Sequence, residues 1–289
     1  GGLGAETARA LAACGAKVTI AARDIEKAES AAAEIRSSTG NPDVDVLGLE
    51  LTAPESVRDF AKQWLATHDE LHLLINNAGL MASPLERTPE GWEYQFATNH
   101  LGHFLLTGLL APALVRGAPS RVVNLSSAGH RMSPVVFDDI HFESRPYDKW
   151  ESYGQSKTAN ILFSVALTAR LAAKGVTANA VHPGMIMTEL GRHMGQQDLE
   201  DLMSKRPADT EMKWKSVEAG AATSLWGATA AELEGRGGLY LEDCGVASAK
   251  RTDEEMEGYA AYALDADAAE RLWRVSEETL GAVFDFNNL

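Results

Sequence analysis

Tyr153 and Lys157 stand four apart in "YGQSK" (153–157). On a helix that spacing places both side chains on one face, within reach of each other. A free tyrosine, with a pKa of about 10, is a poor acid–base at neutral pH. A neighbouring ammonium favours the phenolate and brings that value down, which makes the phenol a usable proton donor and acceptor. The same spacing also describes an ordinary exposed i,i+4 pair. Ser127 closes "NLSS" (124–127), where a hydroxyl at the end of a strand can hydrogen-bond a substrate oxygen. It can equally belong to a Ser-rich turn.

Four further stretches combine turn residues with groups suited to a nucleotide. "GGLG" (1–4) opens an alanine-rich helical pattern. Glycines there let backbone N–H groups approach a pyrophosphate at the positive helix end, although a plain tight turn reads the same way. "AARD" (21–24) follows an apolar run. An Arg at that point accommodates a ribose 2′-phosphate, whereas an acid would bond a free 2′-OH. Arg23 comes first and Asp24 is already suited to cap the next helix, so the reading leans to NADP(H), with NAD(H) as the alternative. "NNAG" (76–79) offers amides and backbone freedom to hold a turn. In "HPGMIMT" (182–188), Pro183 and Gly184 turn the chain sharply, and Thr188 and nearby amides can meet a cofactor amide. Each of these is also compatible with a simple turn.

These residues need positioning, and the elements around them alternate. Strand-like runs are expected at 17–22, 44–51, 71–79, 120–127, 176–184 and 237–243. Helical patterns are expected at 24–38, 53–68, 93–115, 151–175, about 216–230 and about 266–280. Alternation of this length means βαβ units and a mostly parallel sheet. "LHLLI" and "RVVNL" are apolar almost throughout, as strands covered on both faces must be. In such sheets ligands bind beyond the carboxyl ends of the strands, where the stretches above fall. Two irregular segments, 129–150 and 185–215, follow strand ends and read as substrate loops. Their Met132, Met185, Met187, Met194 and Phe137 point to an apolar substrate, although Met is also common core filler.

The bulk properties exclude several classes. A chain of 289 residues without repeats or linker suits one large α/β domain, 1–289. Its net charge of −15 makes nucleic acid and anionic membrane surfaces poor partners. Cys14 and Cys244 have no metal-type spacing and form no disulfide framework, which fits a reducing, cytoplasmic setting and leaves Cys14 a buried or indifferent thiol. No run reaches the ~18 apolar residues that a membrane span needs.

The stretches are individually common, but their order in one chain is not. The sequence resembles the short-chain dehydrogenase/reductase family over essentially its whole length. Within it, the chain is most similar to the retinol-dehydrogenase-like and WW-domain-oxidoreductase-like group. "AARDIEKAE", "LELTAPESVRDF", "NNAGLM", "TNHLGHFLLTGLL", "RVVNLSSAGH", "YGQSKTANILF" and "HPGMIMTELGRH" carry the likeness. The resemblance implies a doubly wound parallel sheet of Rossmann type, ordered 3-2-1-4-5-6-7, and hydride transfer between a nicotinamide and an alcohol or carbonyl carbon. It makes Tyr153 the acid–base, Ser127 the group that orients the substrate oxygen, and Lys157 the holder of the nicotinamide ribose. Asn99 becomes the prop of a proton-relay water. The cofactor contacts it implies are Gly2, Leu3, Gly4, Arg23, Glu50, Leu51, Asn77, Ala78, Gly79, Asn99, Tyr153, Lys157, Pro183, Gly184, Ile186 and Thr188.

Two departures stand out. Where the family has Asp near the adenine, this chain has Glu50, one carbon longer. The first strand of the family pattern, which would be central, is missing. Strands 2 and 4 would then face a gap of roughly 10 Å, two strand spacings. The expectation is therefore a piece of a longer chain. The substrate expected is a small alcohol, ketone or aldehyde of apolar character. Self-association into dimers or tetramers is expected through the helices at about 93–115 and 151–174. The competing reading is a catalytically silent dinucleotide-binding sensor or scaffold.

Overall fold

A computed structural model describes residues 2–188, 190, 195–196, 198, 200, 214–250, 252, 255 and 257–289. The chain alternates as expected: α1 (Gly2–Ala13), β1 (Val18–Ala22), α2 (Ile25–Thr39), β2 (Val44–Gly48), α3 (Pro54–Leu65) and β3 (Leu73–Asn76) come first. Then follow α4 (Gly102–Arg116), β4 (Ser120–Leu125), α5 (Lys149–Leu171) and β5 (Val176–His182). The C-terminal part adds β6 (Met185–Ile186), β7 (Trp214–Lys215), α6 (Val217–Thr229), β8 (Tyr240–Glu242), β9 (Gly245–Val246) and α7 (Ala266–Leu280).

Local chemistry sets the boundaries. The Asp24 side chain accepts the Lys27 N–H at 3.0 Å and starts α2, and Gly40 closes it at φ 72°. Asp148 accepts the Trp150 and Glu151 N–H groups at 2.8 Å each and starts α5. In α3, Val57, Phe60, Ala61 and Trp64 recur at helical spacing and form its buried face.

Strands β3, β4, β5 and β8 pair in parallel in that order, and β9 adds an antiparallel edge. Strands β1 and β2 pair with each other in a separate two-stranded sheet. The facing edges of β1 and β3 are not bonded to one another, and residues of both line one large cleft. Helices cover both faces of the larger sheet. Val122 joins the core under α3, α4, α5 and α7, whereas its neighbour Val123 joins the opposite cluster with Ala228 of α6. This is the two-sided burial that the apolar strands imply.

Two features differ from the sequence expectation. The helix expected at 93–115 is helical throughout 94–116 but not uniform: an α-turn at Tyr94–Phe96 passes into a π-turn, Ala97–Leu101, before α4 begins. Cys14 is exposed rather than buried, because it lies just past the last residue of α1. Helix α5 packs on the chain's own α7, whose Ala269, Leu272 and Trp273 share a core with Phe163 and Leu167. Parts of the segment expected at 185–215, namely 189, 191–194, 197, 199 and 201–213, lie outside the described residues.

Candidate active site

The carboxyl ends of β3, β4 and β5 and the start of α1 open onto one cleft of about 2330 Å³. It is bordered by Gly2, Leu3, Gly4, Arg23, Glu50, Leu51, Asn77, Ala78, Gly79, Ser127, Tyr153, Lys157, Pro183, Gly184, Ile186 and Thr188. The sequence-predicted residues thus converge from seven separate stretches. Asn99 does not line the cleft and is fully buried behind it.

Glycine is required where α1 begins. A Cβ on Gly4 would lie 2.7 Å from Asn77 Nδ2, and Gly2 sits at φ 62°. The first turn of α1 thus brings its backbone to the wall of the cleft with the Asn77 side chain packed on Gly4, a helix start that fits a dinucleotide pyrophosphate. At the other edge of the same cleft, Arg23 Nη1 lies 3.5 Å from Glu50 Oε2, with the guanidinium largely exposed. Glu50 Oε1 also accepts from the Thr52 hydroxyl at 2.8 Å and the Thr52 N–H at 3.1 Å. The longer acid is therefore folded back onto its own strand end and shared with Arg23.

Asn99 acts on backbone. Its Oδ1 accepts the Leu80 N–H at 2.9 Å, and its Nδ2 donates to Leu80 O at 3.0 Å and to Ser156 Oγ at 2.9 Å. The π-turn that carries it is a form often found at functional positions. Asn99 Oδ1 and Lys157 Nζ both lie against Gly79, 3.1 and 3.4 Å from where a Cβ there would stand. Asn99 thus ties the turn after β3 to α5, next to the lysine.

Ser127 lies two residues past the end of β4 and caps the short turn Ala128–Met132, with its hydroxyl accepting the Gly129 N–H at 3.0 Å. The Tyr153 ring packs flat on Gly129, where an added Cβ would fall 2.6 Å from Tyr153 Cε1. Only glycine lets the phenol reach the serine, a requirement that the spacing of "SSAG" alone does not reveal. Lys157 Nζ donates to Leu125 O at 3.0 Å and lies 5.7 Å from the Tyr153 ring centroid. Burial pushes the phenol up to about 12, partly opposed by its hydrogen bond with Ser127. Burial pushes the Lys157 ammonium down to about 8. The expected depression of the phenol by the ammonium is not present in this geometry, because desolvation of each group outweighs their mutual effect.

Met81, Met132, Trp150, Met185, Leu190 and Trp214 border the cleft beyond Ser127 and Tyr153. Met187 also borders it but is 78% exposed, and Phe137 packs against the main core instead. Met194 lies outside the described residues. Among the described residues no group of His, Cys, Asp and Glu could hold a metal ion, and no helix is long and apolar enough to cross a membrane.

A parallel α/β sheet with a glycine-opened helix and a Ser–Tyr–Lys set in the cleft at its strand ends defines a Rossmann-type, NAD(P)-dependent oxidoreductase. The model of the short chain dehydrogenase family matches residues 1–199, and the chain belongs to that family. It falls in the retinol-dehydrogenase-like group. It is 45% identical over 280 residues to retinol dehydrogenase 12 of Mus musculus, covering 97% of this chain and 83% of the relative. It is 43% identical over 289 residues to a probable oxidoreductase of Streptomyces antibioticus, covering 97% and 95%. Among solved structures, an uncharacterised protein from Mycobacterium paratuberculosis superposes with a TM-score of 0.74 at 33% identity, covering 99% of this chain and 92% of that one. Pseudomonas aeruginosa RhlG, solved as an NADP active-site complex, superposes with a TM-score of 0.65 at 26% identity, covering 83% and 90%.

Proposed function

We propose that the chain is an NADP(H)-dependent oxidoreductase of apolar alcohols and of their ketones or aldehydes, with Tyr153 as the acid–base. The observation that carries this reading is that Ser127 and the buried Tyr153 and Lys157 meet in the cleft that the glycine turn of α1 opens. When bound, the nicotinamide supplies or takes up the hydride. The chain's own groups do the rest. The backbone at Gly2, Leu3 and Gly4 holds the pyrophosphate. Arg23, with Glu50 and Leu51, holds the adenosine end, and Asn77, Ala78 and Gly79 line its path. Pro183, Gly184, Ile186 and Thr188 hold the carboxamide side.

In reduction, Ser127 donates a hydrogen bond to the substrate oxygen and Tyr153 gives it a proton. The phenolate so formed regains a proton along a path to solvent through Lys157 and Asn99. A phenol raised to about 12 stays protonated at neutral pH until hydride transfer makes the substrate oxygen basic, and an ammonium lowered to about 8 gives up its proton readily near neutral pH. The wall of Met81, Met132, Met185 and Trp150 favours an apolar substrate body. The NADP complex of RhlG is in keeping with the cofactor choice.

Following NADPH absorbance over a panel of apolar aldehydes and ketones tests the reading. Tyr153→Phe is expected to lower kcat by about 100-fold or more while NADPH still binds. A Phe variant as active as the parent overturns the assignment of Tyr153. Bound NADPH with no turnover over the whole panel points to a sensor instead. Arg23→Asp is expected to move the Kd ratio of NADPH to NADH toward NADH by about tenfold or more, as a lost charge-assisted phosphate contact would. An unchanged ratio removes Arg23 from the 2′-phosphate.

A further inference from the structure

Ser127 sits on a turn of five residues, yet its hydroxyl must be placed to within a fraction of an ångström to meet both the phenol and a substrate oxygen. Two histidines that the reaction does not use hold that turn through its backbone. His130 lies within it, fully buried. Its Nδ1 is 2.7 Å from Ser127 O, and its Nε2 is 3.1 Å from the Ala260 backbone nitrogen. A carbonyl only accepts and an amide N–H only donates, so Nδ1 carries the proton and Nε2 is bare. His182 ends β5. Its Nδ1 is 3.2 Å from the Ala128 nitrogen and a longer 3.4 Å from the Gly184 nitrogen. Both neighbours are donors, so here Nδ1 is bare and the proton sits on Nε2.

We propose that His130 and His182, in opposite tautomers, are positioning residues that clamp the Ser127 turn between the C-terminal segment at Ala260 and the loop that starts at Pro183. The clamp rests on the reading of Ser127 as the group that meets the substrate oxygen. One imidazole takes the carbonyl of Ser127, and the other takes the N–H of the next residue. The backbone on both sides of the serine is therefore tied to different elements. The C-terminal end is itself secured, since the Tyr262 hydroxyl donates to His130 O at 2.8 Å and the Thr158 hydroxyl donates to the same oxygen at 3.0 Å. Through His182 the same turn is joined to Gly184, so the serine and the proposed carboxamide loop share one anchor.

Either imidazole would lose an acceptor on protonation. The surroundings oppose that: Arg131 and Lys250 face His130, and Arg131, His130, Lys215 and Asp243 face His182. Burial and these mostly cationic neighbours hold His130 down at about 4 and His182 at about 3. The hydrogen bonds of both rings go to backbone atoms, which is why they position rather than catalyse.

Nitrogen-15 NMR of the imidazoles in the unsubstituted chain tests the clamp without reference to activity. The expected result is an Nδ1–H tautomer for His130 and an Nε2–H tautomer for His182, both untitrated from about pH 5.5 to 8. The reverse tautomer at either ring, or titration near pH 6.5, overturns it. Kinetics give the second arm. His182→Leu is expected to lower kcat by about 10- to 100-fold with the NADPH Kd changed by less than about twofold. His182→Asn, whose Oδ1 keeps an acceptor near the place of Nδ1, is expected to recover most of that loss. Parental kcat in the Leu variant, or an Asn variant no better than Leu while NADPH binding is intact, overturns the clamp. A Leu variant that fails to fold leaves the decision to the spectra. Ser127→Ala separates the two levels. Full activity in that variant sinks the role of Ser127 and leaves the tautomers standing, whereas wrong tautomers sink the clamp whatever Ser127 does.

Discussion

The charge balance of the site turns on Lys157, whose ammonium is buried with its hydrogen bond to Leu125 O. Its shift from 10.5 to about 8 corresponds to a cost of about 3 kcal/mol for the charged form. The folded state binds the proton less tightly than the unfolded chain does. The cost is therefore fully present below about pH 8 and fades as pH rises toward the unfolded value. Lys157→Met removes it, and Leu125 O keeps a partner in Asn160 Nδ2 at 2.8 Å. That variant is expected to lose turnover yet unfold at a higher urea midpoint than the parent at pH 7, with the gap closing by about pH 10. A variant less stable than the parent at pH 7 would mean that the ammonium is stabilised by more than it loses on burial. The Tyr–Lys pairing was legible in a spacing of four. The direction of both shifts was not, because desolvation depends on what covers α5 and not on α5 itself.

At the scale of elements, α7 decides how the site is backed. Trp273 meets the Phe104 ring of α4 at 4.7 Å and Phe286 at 5.7 Å, and the Arg170 guanidinium of α5 lies 4.2 Å over its ring. His100, in the π-turn with Asn99, reaches Ser276 of α7 through Nε2 at 2.8 Å. The helix thus braces the turn that holds Leu80 and Ser156. Trp273→Ala is expected to cost about 3–5 kcal/mol in chemical denaturation, from the lost apolar contact and the cavity left behind. A loss below about 1 kcal/mol would mean that α7 is not docked on α4 and α5 as described. Most elements were readable from periodicity and caps, as Asp24 and Gly175 show. The π-turn was not, because "EYQFATNHLGHF" has an unbroken helical pattern and the bulge exists only through hydrogen bonds to Leu80 and Ser156. The packing of α7 over α5 was equally hidden, since two amphipathic faces far apart in the chain carry no mark of which partner they choose.

For the whole molecule, pH links these parts. His100, His103 and His130 are buried and His182 is half-buried, and all four are held between about 3 and 4, chiefly by desolvation. Their folded values lie below the ordinary 6.5, so the unfolded chain takes up protons first as pH falls. The stability these rings retain is complete above about pH 6.5 and drains away as pH drops toward 4. At pH 5 each ring accounts for about 2 kcal/mol, so the chain is expected to lose several kcal/mol between pH 7 and 5 in urea denaturation. A flat stability profile over that range would show that the four rings are solvated or paired with acids.

The sequence by itself determined the α/β alternation, the family and the residue types of the cleft. Hydrophobic period, helix caps and the order of short motifs are local properties, written within a few residues of one another. Only the tertiary structure decided which of those residues meet and under what dielectric. It placed Asn99 behind the cleft and folded Glu50 back toward Arg23. It showed that Gly129 is what lets Tyr153 reach Ser127, and it brought His130 and His182 onto the backbone of one turn. Burial and hydrogen-bond partners are set by elements far apart along the chain, so no stretch of sequence contains them.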